Sequence, residues 1–485
     1  MNEKTITRNC VSENFRLYAH GTTKFLDKKQ LDKTIDRWKI IFSEKLQLTR
    51  GNIVGLGFPL HDMTYFGALF AASELGLKLV VLDLFFDRLI AHSDNKFWPM
   101  DLFLGNPGLR EQQRMLFQSI SRVYSDYTIW RNYWPTDSEY QSQHNILARE
   151  SDELLLCTSS GTTDTPKRIK HTHEFLFEIS SRNQKVFKFH GNVLHLKNLH
   201  HGSSLVVYFL PTLMSDSVSC HHTCNFDAGN VNDPATIEKI INYSVEHDIN
   251  HIQFPYTDAL GAFLQQSVER NIKFNDLTLY TLSYIKPEWS SMIEACNVRQ
   301  IISIFGCNET SGPVFVNSLS QGQTDFVMNE FRLLDDFYGI STNEASQLVV
   351  SLPTYNKNIV MQDHFEQHEG KFIHHGRSDL LRINDIEIEL FYILNLCEKH
   401  NINGQCIVDK QYERIYLALW DNNLDAVHVL DRALNEKYHV TIKIHRYMVL
   451  NKLDYMSGIK LDHDLLRERF RQAGSSTPGE KNDVL

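Results

Sequence analysis

Apolar positions in this chain switch repeatedly between a helical and an extended spacing. Residues 31–42, Leu-Asp-Lys-Thr-Ile-Asp-Arg-Trp-Lys-Ile-Ile-Phe, carry their apolar side chains at helical intervals. Residues 52–58 then read as a strand, followed by a small-residue helix over Tyr65–Leu75 and a second strand, Leu77–Leu82, ending at Asp83. Leu154–Leu156 is a short apolar run of the kind that forms a buried strand. The same alternation returns where a helix over Ile237–His247 leads into Ile249–Phe254 and is stopped by Pro255. A further strand, Gln300–Phe305, ends in Gly306. Strand and helix in alternation predict a parallel, doubly wound sheet, and such sheets hold ligands at their strand ends.

The pattern changes near residue 377. Glu366–Gly370 reads as a charged turn and Lys371–His375 as a short strand running into Gly376-Arg377. The last hundred or so residues read as a smaller module with strands at Ile415–Leu419 and Thr441–Val449. The polar Gly, Ser and Pro of 474–485 predict a disordered tail. The expectation is therefore an α/β protein: a large N-terminal domain with doubly wound sheets over 1–377, and a small mobile C-terminal α/β domain over 378–473. No internal repeat is present in the sequence.

Composition narrows the function. At 485 residues the chain exceeds one ordinary core, so at least two domains are expected. Its 42% hydrophobic and 22% charged content is that of a soluble globular protein. A formal charge of −10 argues against nucleic acid as the main partner, because a phosphate backbone demands a basic face. Eight cysteines lack regular pairing, Met1-Asn-Glu-Lys has no apolar signal core, and no run approaches the ~20 apolar residues of a membrane span. A cytoplasmic protein with reduced thiols is expected.

The richest chemistry lies at residues 157–167, Cys-Thr-Ser-Ser-Gly-Thr-Thr-Asp-Thr-Pro-Lys. Its hydroxyls, its glycine backbone and Lys167 suit an anion, as a nucleotide polyphosphate would require. The spacing is not that of a Walker A loop, since no Gly-Lys-Ser/Thr closes it. A Ser/Thr-rich surface turn fits the composition equally well. Later, Ile304-Phe-Gly-Cys-Asn-Glu-Thr-Ser-Gly-Pro313 sets a carboxylate just past a glycine at a strand end. A hard oxygen-ligated cation such as Mg²⁺ suits that carboxylate, and an exposed turn glutamate is the plain alternative.

These segments together resemble the adenylate-forming superfamily, which holds acyl-CoA synthetases, nonribosomal-peptide adenylation domains and luciferases. Thr158–Lys167 resembles its phosphate loop, usually Ser-Gly-Thr-Thr-Gly-x-Pro-Lys, with Asp164 in place of the last glycine. Residues 67–83 resemble the helix–strand motif that precedes this loop. Phe305-Gly-Cys-Asn-Glu309 resembles aromatic-Gly-x-Thr-Glu, with Asn308 replacing threonine but keeping a donor and an acceptor. Met361-Gln-Asp363, Glu369-Gly370 and Gly376-Arg377-Ser-Asp379 reproduce a further spacing, and Met456-Ser-Gly-Ile-Lys460 resembles the catalytic-lysine segment with Ile459 inserted after its glycine. Asn198-Leu-His-His-Gly-Ser203 falls where relatives carry a gating histidine, which would be His201. Leu282-Ser-Tyr284 replaces the small glycine pair found beside the adenine.

The resemblance implies ATP-dependent adenylation of a carboxylic acid with release of pyrophosphate, then acyl transfer to a thiol of CoA or a carrier protein. Thr158, Ser159, Ser160, Gly161, Thr162, Thr163 and Lys167 would hold the phosphates. Phe305 and Gly306 would face the adenine, and Asn308 the α-phosphate. Glu309 would bind Mg²⁺, and Asp363 and Arg377 would meet the ribose and phosphate. Lys460, with Lys167 and His201, would be catalytic, and Asp379 would be the hinge. The stretch 379–389 is shorter than in relatives and lacks the glycine of the hairpin lining their thiol tunnel, so CoA as acceptor is less supported than ATP. An amine acceptor, or a catalytically degenerate nucleotide- or acyl-binding relative, are the alternatives. Cys220-His-His-Thr-Cys224 suggests zinc at first sight, but no second ligand pair has a recognisable spacing, and ordinary packed or surface residues are expected there.

Overall fold

The computed structural model describes residues 4–19, 25–57, 64–80, 100–105, 123–124, 145–158, 168–196, 204–223, 233–254, 257–282, 284–307, 309–343, 347–352, 355, 357–361 and, with short breaks, 363–472. The chain divides into two compact units, Met1–Asp335 and Asp336–Leu485.

The first unit holds two sheets. One runs in the order Glu330–Leu333, Phe315–Ser320, Val298–Phe305, Leu277–Thr281, Ile249–Gln253, Gly191–His195, Val218–Thr223, Arg16–Ala19 and Phe25–Asp27. Its central strands are parallel, so Val298–Phe305, Leu277–Thr281, Ile249–Gln253 and Gly191–His195 all point their carboxyl ends the same way. Every residue of Leu277–Thr281 is buried, as both-sided cover requires. Helices Pro234–Glu246, Thr257–Glu269 and Trp289–Cys296 pack Ile237, Ile241, Phe263, Leu264 and Ile293 against Ile252, Leu279 and Ile301 on one face. Phe187, Phe189 and Tyr208 meet Val193, Tyr280 and Ile304 on the other. The second sheet is six-stranded, in the order Val123–Tyr124, Leu102–Gly105, Ile53–Gly57, Lys78–Val80, Glu153–Thr158 and Arg168–Thr172. The doubly wound α/β arrangement is as the alternation predicts. The helix read over 31–42 is an α-helix at Lys28–Ile40, capped reciprocally by Asp27 and Gln30, with a widened turn over Ile41–Lys45.

The second unit is built from smaller pieces. Gly339–Thr342, Leu348–Leu352 and Lys357–Val360 form an antiparallel sheet, and Asp363–His368 pairs with Lys371–Arg377 as a hairpin. Gly404–Asp409, Arg414–Leu419 and Ile444–Val449 form a sheet packed by helices Asp425–Tyr438 and His463–Gln472. Leu430 and Leu434 cover one face, while Phe470 stacks on Tyr416 at 4.5 Å on the other. The expected strands Ile415–Leu419 and Thr441–Val449 are thus present, with 441–443 and the tail 474–485 outside the described residues.

The first unit also buries several histidines. His221 and His222 lie on the inner strand Val218–Thr223, and His195 Nε2 is 3.2 Å from His221 Nδ1. Burial pushes His173 and His222 down to about 4, and His221 and His251 to about 3; His195 is also held well below the ordinary value, by burial and by His221. The unfolded chain therefore takes up protons near pH 6.5 that the folded chain refuses until about pH 3–4. Stability is full above pH 6.5 and falls as pH drops from there toward pH 4, by about 1.4 kcal/mol per pH unit for each such group. A urea midpoint that decreases steeply from pH 7 to pH 5 is expected; a flat midpoint over that range contradicts the neutral burial of these rings.

Candidate active site

At the carboxyl ends of the parallel strands, Val298–Phe305 delivers Phe305 and Gly306 into a tight turn. Val314 N–H donates to Phe305 O at 2.8 Å, and Phe305 lies opposite Phe315 across the hairpin. A side chain at 306 would overlap the Gly312 carbonyl, so only glycine permits this close return. Within the turn the fully buried Thr310 donates to Cys307 O and Gly312 O, at 2.9 and 2.8 Å, and its hydroxyl accepts from Cys307 N–H. Glu309 sits half-buried beside this knot. Burial, with Glu309 adding, pushes the Cys307 thiol up to about 12, so Cys307 is a neutral filler and not a nucleophile. Phe305 and Tyr284 flank Phe331, with centroids 5.9 and 6.2 Å from it, which makes a three-ring wall at the strand ends.

The strand Glu153–Thr158 brings Thr158 to its end, directly opposite Arg168 of Arg168–Thr172. These two strands are antiparallel neighbours. Helix His173–Phe187 follows at once, capped by Thr172, whose hydroxyl accepts from Phe175 N–H. Ser159, Ser160, Gly161, Thr162, Thr163, Asp164 and Lys167 lie outside the described residues, as do His201 and Asn308.

In the second unit Asp363 opens its strand opposite Arg377. His374 Nε2–H donates to Asp363 Oδ1 at 3.1 Å, and the His374 ring lies 4.7 Å from Phe365, so the carboxylate is aimed by its own hairpin. Asp379 lies outside the described residues. Leu380–Ile383 and Ile386–Glu389 pair with Ile383 opposite Ile386, which closes a hairpin over two residues without glycine. Lys460 begins a short strand, Lys460–Leu461, paired to Tyr455–Met456 with Met456 opposite Lys460.

No protein-family model matches the sequence, and no curated protein matches it. Solved structures do. The chain is similar to O-succinylbenzoate coenzyme A synthetase from Bacillus subtilis in complex with AMP, at 14% identity over 97% of each chain with a TM-score of 0.73. It is similar to fatty acyl-adenylate ligases from E. coli and L. pneumophila, at 13% identity over 95% of each chain with a TM-score of 0.72. It is also similar to McyG A-PCP complexed with phenylalanyl-adenylate, at 14% identity over 97% of this chain and 96% of that one, with a TM-score of 0.69.

The chain has the fold of these three proteins.

On this fold the structure groups Phe305, Gly306 and Glu309 with Tyr284 in the first unit, and Asp363 with Arg377 in the second. Sequence reasoning passed over Phe331 and His374. Phe331 follows no motif and reaches Phe305 only through sheet order. His374 was legible in principle, since it stands on the strand paired with that of Asp363. Cys220 and His221 lie on the buried strand Val218–Thr223, where burial pushes the Cys220 thiol up to about 12; Cys224 is outside the described residues. Among the described residues no group of three or more His, Cys, Asp or Glu is placed to hold a metal. Glu309 alone is compatible with Mg²⁺, which keeps waters and takes one or two carboxylates plus phosphate oxygens. No helix among the described residues is long and apolar enough to cross a membrane.

Proposed function

We propose that the protein is an AMP-forming ligase that activates a carboxylic acid with ATP. The observation that carries this reading is the ordered set Thr158–Lys167, Phe305–Glu309, Asp363–Arg377 and Lys460 on the fold shared with these proteins. Structural neighbours hold AMP and phenylalanyl-adenylate, which is the chemistry proposed for this chain. The substrate carboxylate attacks the α-phosphorus, and the bond to the bridging oxygen of pyrophosphate breaks. Catalysis of such a transfer is positioning and charge neutralisation. The hydroxyls of 158–163 and Lys167 bind the β- and γ-phosphates, and Asn308 reaches the α-phosphate. Phe305, Gly306 and Tyr284 face the adenine. Asp363, aimed by His374, takes the ribose hydroxyls, with Arg377 beside it. Glu309 would hold Mg²⁺, which supplies charge neutralisation on the phosphates when bound. Lys460 bridges carboxylate and α-phosphate, His201 gates the acyl side, and the 378–473 region turns about Asp379 between the two half-reactions.

The second half-reaction transfers the acyl group to a nucleophile, and a thiol of CoA or a carrier protein is the leading acceptor. The two-residue closure of the Leu380–Glu389 hairpin leaves less chain to line a thiol tunnel, which favours a second reading with an amine acceptor. Incubation with ATP, Mg²⁺, a panel of carboxylic acids and either hydroxylamine or CoA separates these. Hydroxamate with thioester supports a CoA ligase. Hydroxamate without thioester supports adenylation with another acceptor. Neither product, from any acid, supports a degenerate relative.

A further inference from the structure

The turn that carries Glu309 returns on itself so tightly that one hydroxyl reaches both of its sides. Thr310 is fully buried, and its O–H is shared between Cys307 O at 2.9 Å and Gly312 O at 2.8 Å. Its oxygen accepts in turn from Cys307 N–H at 3.2 Å. The backbone closes the same knot, since Thr310 N–H and Ser311 N–H both donate to Cys307 O at 3.2 Å. Ser311 stands at φ +50°, in the left-handed region that serine seldom adopts. Such a conformation persists where the surrounding bonds impose it. Glu309 lies inside this knot, one residue before Thr310. Its carboxylate accepts from the Cys307 thiol, whose sulfur is 3.8 Å from Thr310 Oγ1. Contacts therefore connect the Thr310 hydroxyl, through Cys307, to the Glu309 carboxylate, and the hydroxyl acts where water cannot replace it.

We propose that Thr310 is a positioning residue that fixes the direction of the Glu309 carboxylate toward Mg²⁺. The inference rests on the adenylation reading, because it names how the cation ligand of that same site is aimed. Carboxylates that bind a cation are commonly oriented by hydrogen bonds around them, and losing such a bond costs about 10–100-fold in metal affinity. Serine at 310 keeps the hydroxyl bridge. Valine fills the same space but leaves Cys307 N–H, Cys307 O and Gly312 O without it.

The test is calorimetric binding of ATP, in EDTA and across a Mg²⁺ titration, with thermal unfolding measured in parallel. It compares Thr310→Ser, Thr310→Val, Glu309→Gln and the double variant Thr310→Val/Glu309→Gln. Thr310→Ser should bind as the wild type does. Thr310→Val should need about tenfold more Mg²⁺ to strengthen ATP binding, while its affinity in EDTA stays within about twofold of wild type. Glu309→Gln should lose the Mg²⁺ dependence, and Thr310→Val should add nothing to that loss, an outcome that general loosening of the fold would not give. If Thr310→Val does not fold, Thr310→Cys, whose thiol bridges only weakly, takes its place under the same criteria. Folded Thr310→Val with the wild-type Mg²⁺ dependence overturns the proposal, as does a double variant about tenfold weaker than Glu309→Gln alone. Wild-type protein that binds MgATP while Glu309→Gln keeps the full Mg²⁺ dependence overturns it too, and leaves the adenylation reading standing. Wild-type protein that binds no MgATP removes the adenylation reading itself, and the positioning role with it.

Discussion

Replacing Lys460 with alanine is expected to abolish acid-dependent pyrophosphate exchange while leaving ATP binding largely intact. The attacking carboxylate and the α-phosphate are both anionic, and their approach needs a cation between them as charge redistributes. Preorganised charge of this kind contributes roughly 10²–10³-fold per group in comparable sites, and more where two anions must meet. ATP itself would be held by other residues of the proposed site: the 158–167 segment, Asp363, Phe305 and Tyr284. Loss of chemistry with retained binding is therefore the signature. Calorimetric titration of ATP beside an exchange assay measures both. Wild-type exchange in the alanine variant removes Lys460 from the mechanism, and parallel loss of ATP binding assigns it a binding role instead.

The second large effect concerns folding. Glu74→Ala should destabilise the first unit by about 3–5 kcal/mol, a substantial part of the ~5–15 kcal/mol that holds a domain folded. Glu74 is fully buried and accepts from Arg8 Nε at 2.7 Å, Arg8 Nη2 at 2.8 Å and Lys39 Nζ at 3.1 Å. Burial alone would raise its carboxyl, but Arg8 and Lys39 hold it below the ordinary carboxylate value. Arg8 also reaches Asp36 at 2.6 Å, so the network ties the N-terminal segment to helices Lys28–Ile40 and Thr64–Glu74. Removing the carboxylate leaves Lys39, itself 1% exposed, as a buried cation. Urea denaturation at pH 7 reads the loss directly. A change below about 1 kcal/mol would mean that the network relaxes onto other partners.

Much of the architecture was legible because burial imposes periodicity. Ile249–Phe254 and Gln300–Phe305 lie within a residue or two of the strands Ile249–Gln253 and Val298–Phe305, since β-branched Ile249 and Ile252 in one and Ile301, Ile302 and Ile304 in the other mark short extended runs. Gly306 was legible for a different reason, because a turn that returns onto Gly312 tolerates no side chain. What escaped the sequence is polar and long-range. Lys39, Glu74 and Arg182 look like solvated positions, yet each is buried by a partner far away in the chain. Periodicity scores such letters as surface, and only the folded contact gives them meaning. His374 escaped because its role depends on hairpin register. The widened turn at Ile41–Lys45 escaped because its residues suit an ordinary helix equally well.

The proposed function stands on formation of an acyl-adenylate. Incubating the wild-type protein with ATP, Mg²⁺ and a panel of carboxylic acids, then searching by mass spectrometry for the acyl-AMP, tests it most directly. An acyl-AMP from at least one acid, absent without enzyme and absent with Lys460→Ala, is the predicted result. Protein that binds ATP yet forms acyl-AMP from none of the acids, with no pyrophosphate released, would contradict it.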